Sequence, residues 1–286
     1  MTEFARLIER LRRISADDSG DPCAGGDWPE RIDPDAWCMS PELLSPYGTT
    51  SYDALDERQR RRLSFFEAVN FFSLNIHGER MLVAGIAPRL YREACDPVSR
   101  YLQHFLAEEN RHMALFAQFC GRYAGKIYSE KKFPVARACA AGEEEFLFFA
   151  RVLVFEEIVD GYNAHMAEDG RLAPIASYIN RIHHRDECRH LAFGRRMVVD
   201  LFERHARYWS AEVLARVRAE LAGFFAACWR EYYNPEAYRD AGLPDAYATR
   251  TRLLGDAVRR RHHAAFSARS IAHLRKHGIL LEEPAL

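Results

Sequence analysis

No run in this 286-residue chain approaches the ~18 consecutive apolar residues that a membrane span needs, and its opening, MTEFARLIERLRRISADD, lacks the apolar core of a secretory signal. An excess of one charge sign is missing too. The 40 Lys and Arg stand against 41 Asp and Glu, a formal net charge of −1. That balance supplies no bulk field for nucleic acid or an anionic membrane. Paired cysteines are also lacking: the seven, at 23, 38, 95, 120, 139, 188 and 228, are odd in number, scattered and without a C-x-x-C. They read as reduced thiols rather than a disulfide framework. Apolar-polar alternation of the β type is scarce, so few strands are expected. Together these absences describe a soluble cytoplasmic protein with no nucleic-acid or membrane partner.

What is present is helical periodicity. Residues 17–50 collect turn formers in DSGDPCAGGDWPERIDPD and SPELLSPYGTT, so residues 1–52 read as an irregular N-terminal arm. Residues 53–286 read as one all-α domain. A first helix is expected over 56–87, with Asp56 and Gln59 as a capping box and Pro88 past its end. A second follows Asp96-Pro97 and stops near Gly121; a third runs from the acidic Glu143–Glu145 to near Gly170. A fourth opens at Pro174 and continues to about Arg207. Ser210 caps a fifth that ends before Pro235, and a sixth covers roughly 246–276. The pattern is a four-helix bundle over 56–207 with additional C-terminal packing helices over 210–276.

Two of these helices carry the same phrase. The second contains Glu108-Glu109-Asn110-Arg111-His112-Met113-Ala114, and the fourth contains Asp186-Glu187-Cys188-Arg189-His190-Leu191-Ala192. A single Glu-x-x-His arises by chance about once in a chain of this composition. Glu-x-Arg-His twice is expected on the order of once in a hundred chains, which makes a repeat the better explanation. Residues three apart on a helix lie about 60° apart in projection, so Glu and His can reach one ion from one face. Two facing copies supply two Glu-His pairs, and in di-iron carboxylate bundles the other two helices add one Glu each. The chain is therefore expected to carry a solitary glutamate in an apolar stretch of helices one and three.

On helix one that residue is Glu67, among Phe65, Phe66, Phe71 and Phe72. On helix three it is Glu156 or Glu157, which spacing alone does not separate. His183 lies four residues before Glu187 and seven before His190, within roughly one 60° arc, so a third imidazole can join them. His184 is rotated away by about 100°. Glu108 and Asp186 are placed to accept the outer ring N–H of a ligand histidine on the facing helix, and Asp160 is a third candidate. Arg111 and Arg189 read as structural ion pairs. The aromatics near Glu67 and Glu156 read as core, Tyr162 and Asn163 are candidates for a substrate pocket, and Arg259-Arg260-Arg261-His262-His263 reads as a solvated helix face.

At these residues the chain resembles the diiron arylamine N-oxygenases, the p-aminobenzoate N-oxygenase family of nitroaryl natural-product pathways. Ferritin-like proteins share Glu…Glu-x-x-His…Glu…Glu-x-x-His. This family adds a histidine, His-x-x-x-Glu-x-x-His, which here is His183, Glu187 and His190. The family's third-helix glutamate stands 27 residues before that histidine, which selects Glu156 over Glu157. The resemblance spans about 56–207. It implies a ferritin-like bundle holding two iron ions on Glu67, Glu109, His112, Glu156, His183, Glu187 and His190.

It also implies O₂ as co-substrate, an amine oxidised at nitrogen to hydroxylamine, nitroso or nitro products, and a homodimer. The amine is free or held on a carrier. With no flavin or ferredoxin site in the sequence, electrons come from an external donor. Three other readings stand beside it: a diiron C–H hydroxylase or desaturase, a ferritin-like iron-binding protein, and a metal-free helical scaffold.

Overall fold

Asp56 accepts a hydrogen bond from the Gln59 backbone N–H, and the Gln59 side chain accepts one back from the Asp56 N–H, the reciprocal cap read from the sequence. It opens the thirty-residue helix Glu57–Ile86, the first long rod of the fold. A computed structural model of the chain describes residues 3–17, 20–92, 95–130 and 140–286. In chain order its helices are α1 Glu3–Asp17, α2 Thr50–Asp53, α3 Glu57–Ile86, α4 Ser99–Phe119 and α5 Glu143–Ala167. They continue with α6 Pro174–His205, α7 Ala211–Glu231, α8 Pro235–Ala241, α9 Ala246–Leu254 and α10 Ala257–Lys276. Among the described residues there is no strand, only an isolated bridge between Trp37 and Leu172.

Two hairpins make the bundle. The turns after Ile86 join α3 to α4, and residues 168–173 join α5 to α6; each pair packs along its length. Short connections of this kind force antiparallel neighbours. The hairpins are linked by the longer segment 120–142, which begins with a π-helical turn at Cys120–Ala124. α4 faces α6 and α3 faces α5 across the middle. Around this core, α7 and α10 pack on α5, and α8 packs on α3.

Three boundaries differ from the sequence reading. The arm carries a regular helix, α1, whose Ile8 and Leu11 are buried where it packs on α4 and α6. Its apolar positions are spaced for one narrow face, which only a docked helix uses. The expected sixth helix is two, α9 and α10, broken at Gly255; the Asp256 side chain caps α10 by accepting from the Val258 N–H. Before them lies α8, capped by Asn234 with Pro235 at its first position.

The run 259–263 is a solvated face only at Arg260 and Arg261, which are exposed. Arg259 and His263 are each 2% exposed, because positions 259, 263, 267, 270 and 274 form the stripe that packs inward. The six described cysteines, 23, 38, 95, 120, 188 and 228, are free thiols; Cys139 lies outside the described residues.

Candidate metal centre

The two copies of the repeat face each other, with Glu109 and His112 projecting from α4 and Glu187 and His190 from α6. All four are at most 2% exposed. His112 Nδ1 lies 3.2 Å from Glu109 Oε2, and His190 Nδ1 lies 3.0 Å from Oε1 of both Glu187 and Glu109. The outer ring nitrogens point away from the centre. His112 Nε2 is 3.1 Å from Asp186, and His190 Nε2 is 2.7 Å from Glu108. With those carboxylates accepting Nε2–H, each ring keeps its Nδ1 lone pair turned inward. The Arg189 guanidinium joins the two acids, 2.7 Å from Glu108 and 3.0 Å from Asp186, an ion pair as expected. Against the opposing effect of burial, the His112 contact and Arg185 hold Asp186 well below the usual carboxylate range.

From α5, Glu156 reaches the cluster at 2% exposure, whereas Glu157 turns aside to the Arg195 guanidinium. From α3 the contributing residue is Glu79, not Glu67. Glu79 Oε1 lies 3.2 Å from His183 Nε2 and 3.9 Å from His112 Nδ1. Glu67 is twelve residues, about 18 Å of helix, further toward the N-terminus, well short of the centre.

Glu67 has a different environment. It accepts from the Ser45 backbone N–H at 2.8 Å and from the Ser45 hydroxyl, which also meets Tyr238 at 2.7 Å. It lines a cavity of about 10 Å³, room for roughly one water, together with Asn70, Tyr233 and Arg259. Burial there pushes its carboxyl up to about 7. Apolar neighbours around Glu67 mark a buried carboxylate, as the sequence suggests, but its partners are hydroxyl and amide groups.

His183 enters the cluster with no exposure, its Nε2 3.2 Å from both Glu79 and Glu187. The Asn163 side-chain amide sits 2.6 Å from its Nδ1. The nearer amide atom is the nitrogen, and Asn163 Oδ1 is left without a partner. For Nε2 to turn a lone pair toward the carboxylates, Nδ1 must carry the proton and the amide must turn over so that its oxygen accepts it. Asn163 thus orients a ring of the centre rather than facing a pocket. Asp160 serves His184, at 2.6 Å, not a histidine of the cluster. Tyr162 packs among Phe71, Tyr232 and Phe266, with its hydroxyl 2.8 Å from His262 Nε2.

Seven donors therefore converge: Glu79, Glu109, His112, Glu156, His183, Glu187 and His190. They fall into three overlapping groups, each with its ligand atoms within 4.8 Å of one another, and Glu109, His183 and Glu187 are each shared by two groups. Both oxygens of Glu79, both of Glu156, one each of Glu109 and Glu187, and His183 Nε2 are buried without a hydrogen-bond partner. Orphaned carboxylate oxygens are costly unless a cation meets them. Burial first, then the neighbouring carboxylates, push Glu79 and Glu156 far above the normal range. Four acids in so small a volume need added positive charge to ionise together, and two divalent ions would balance them. The donor set fits a two-metal site. A second grouping, Glu42, His165 and Asp169, is not equivalent, because Arg171 already occupies both of its carboxylates.

A cavity of about 520 Å³ reaches this centre between α3, α5 and α7. Glu156 lines its inner end, while Met81, half exposed, and Gly223 lie toward solvent. Its walls include Phe148 and Phe155, which the sequence reading assigned to core. Both rings lie against glycines of α3: a Cβ on Gly78 would collide with Phe155, and one on Gly85 with Phe148. Neither Tyr162 nor Asn163 lines this cavity.

Solved structures that the chain matches include an R2-like ligand-binding oxidase variant with an anaerobically reconstituted Mn/Fe cofactor. It is 14% identical, matched over 95% of this chain and 94% of that one, at a TM-score of 0.48. Another variant of that oxidase, with an aerobically reconstituted Mn/Fe cofactor, matches at the same identity and score over 95% of both chains. No protein of curated function matches the sequence. The family model described as P-aminobenzoate N-oxygenase AurF matches residues 2–278, nearly the whole chain. This chain, an oxidoreductase by that kinship, belongs to the p-aminobenzoate N-oxygenase family.

Proposed function

We propose that the protein is a non-haem diiron oxygenase that uses O₂ to oxidise an amine nitrogen, with Glu79, Glu109, His112, Glu156, His183, Glu187 and His190 as its iron ligands. The observation that carries the reading is the third imidazole, His183, buried between Glu79 and Glu187 in a cluster already holding two histidines. Two irons bound there supply the redox chemistry that activates O₂.

The chain's own groups do the rest. Glu108 and Asp186 hold His190 and His112 in the tautomer that turns Nδ1 inward, and the Asn163 side-chain amide, against Nδ1 of His183, orients that ring. Arg189 keeps the two acids ionised and in register. Phe148 and Phe155 line the approach with apolar surface, and Glu156 is the one cluster member at the cavity's inner end, so the reacting nitrogen meets the centre on its side. Electrons reach the site from an external donor. The working unit is a cytoplasmic homodimer.

The test is metal analysis followed by single-turnover reaction of the ferrous protein with O₂ and an amine panel. Two irons per chain and an N-oxidised product are expected. Absence of bound iron, or turnover with no nitrogen product, overturns the proposal. A second reading, oxidation of a C–H bond, draws on the apolar walls of the cavity. Carbon-hydroxylated product from the same assay would establish it. A His183→Ala protein that retains both irons and full N-oxidation would remove that imidazole from the argument.

A further inference from the structure

We infer that the substrate is a neutral amine carried on a long or multi-ring apolar body, and not a one-ring aminobenzoate anion. This rests on the amine reading above and names the substrate class for the same site.

Size is the first argument. A single benzene ring fills a cavity of about 150 Å³, so it would occupy about a third or less of the 520 Å³ leading to Glu156. Cavities of this volume suit drug-sized molecules. An undersized ligand would leave apolar wall exposed to water and forgo most of the available burial.

The second argument is how the space arises. On α3, Leu74, Gly78, Leu82 and Gly85 recur at helical spacing along one wall. The glycines leave the Phe155 and Phe148 rings room to sit close against the helix, in space that a Cβ would occupy. On α7, Gly223 and Ala227, one turn apart, leave a gap in the opposite wall beside Phe224 and Tyr232; a Cβ on Gly223 meets nothing within 4 Å. Small residues on both walls keep an elongated passage open.

Charge is the third. Of the charged groups lining the cavity, Arg151 is paired with Glu220 and Glu130 with Arg80, so these charges are compensated within the protein before any ligand arrives. A carboxylate entering here gains no free cation from Arg151.

The test is calorimetric titration of the metal-loaded protein, under nitrogen, with 4-alkylanilines from methyl to hexyl and with p-aminobenzoate. Affinity is expected to rise with each added methylene, up to about fourfold per step, and p-aminobenzoate to bind more weakly than any alkylaniline beyond propyl. Ala227→Phe, with Gly223→Leu as a second variant in case the first does not fold, should flatten the series at its long end while leaving 4-methylaniline within about twofold. A flat wild-type series, tighter binding of p-aminobenzoate than of 4-hexylaniline, or variants that keep the full gradient would overturn the inference. Because the readout is binding, it separates from the chemistry. A steep series without any N-oxidation removes the amine-oxygenase reading and leaves the size and charge preference standing.

Discussion

His190 Nε2 and Glu108 Oε2 lie 2.7 Å apart, an imidazole from one hairpin and a carboxylate from the other, both almost wholly buried. An anionic acceptor on the outer nitrogen makes the inner one a stronger donor to a metal and fixes the ring's direction. Glu108→Gln keeps an acceptor but removes the charge. It is expected to weaken metal affinity by about 10- to 100-fold while the fold persists. Competition of the variant against a calibrated chelator measures this. Asp186→Asn should act in the same way on His112, since its place in the other copy of the repeat is equivalent.

Glu79 and Glu67 separate by the same measurement. Glu79→Gln should drop the metal content below two ions per chain, because both of its oxygens lack any protein donor. Glu67→Gln should leave it at two. The reverse outcome would return Glu67 to the centre. In the metal-free protein Glu79→Gln should raise the melting temperature, since it removes one of four crowded acids. In the loaded protein it should lower it.

Glu67 also predicts a pH dependence. Its folded pKa of about 7 lies above the usual glutamate value, so its favourable contribution is complete below pH ~4.5 and is lost as pH rises through 7. Glutamine does not titrate. Relative to wild type, the Glu67→Gln protein should therefore gain stability between pH 5 and pH 8, on the order of 3 kcal/mol at most. Urea melts of the two proteins at several pH values measure the difference, and parallel curves would refute the assignment.

Gly78→Ala tests the cavity wall from inside α3. An exposed helical glycine would gain about 1 kcal/mol from this change. Here the new methyl meets the Phe155 ring, and overpacking of that kind costs about 1–3 kcal/mol. The expected result is a melting temperature lowered by a few degrees, with weaker binding of long alkylanilines as the ring is pushed into the passage. Gly121→Ala, where a Cβ has open space, is the control.

Most of the bundle was readable because its signals are local: the Asp56–Gln59 box, Pro174 at a helix start and Ser210 before α7 each act within one turn. The repeat was readable because three-residue spacing on a helix fixes a shared face. Glu79 does not stand alone in an apolar run, since its neighbours include His77 and Arg80, so solitude among apolar residues singles out Glu67 instead. A register signal was available. In an antiparallel hairpin, residues at equal distance from the turn lie level. Glu109 is ten residues into α4 and Glu79 seven before the end of α3, while Glu67 is nineteen before it. The cavity had no comparable signature, since Gly78, Gly85 and Gly223 acquire meaning only once α5 and α7 are set against α3. The inward face of α10 is legible in principle, because Arg259 and His263 are four apart, but three consecutive arginines mask that period with charge.

The exchange of acids between hairpins has one more consequence. Each imidazole of the repeat leans on a carboxylate supplied by the opposite half, so neither half owns a finished cation-binding set. A chain folded as far as two separate hairpins would offer loosely held rings of undefined tautomer and poor grip on a cation. On the proposed reading, metal loading and closure of the halves against each other are coupled, each strengthening the other.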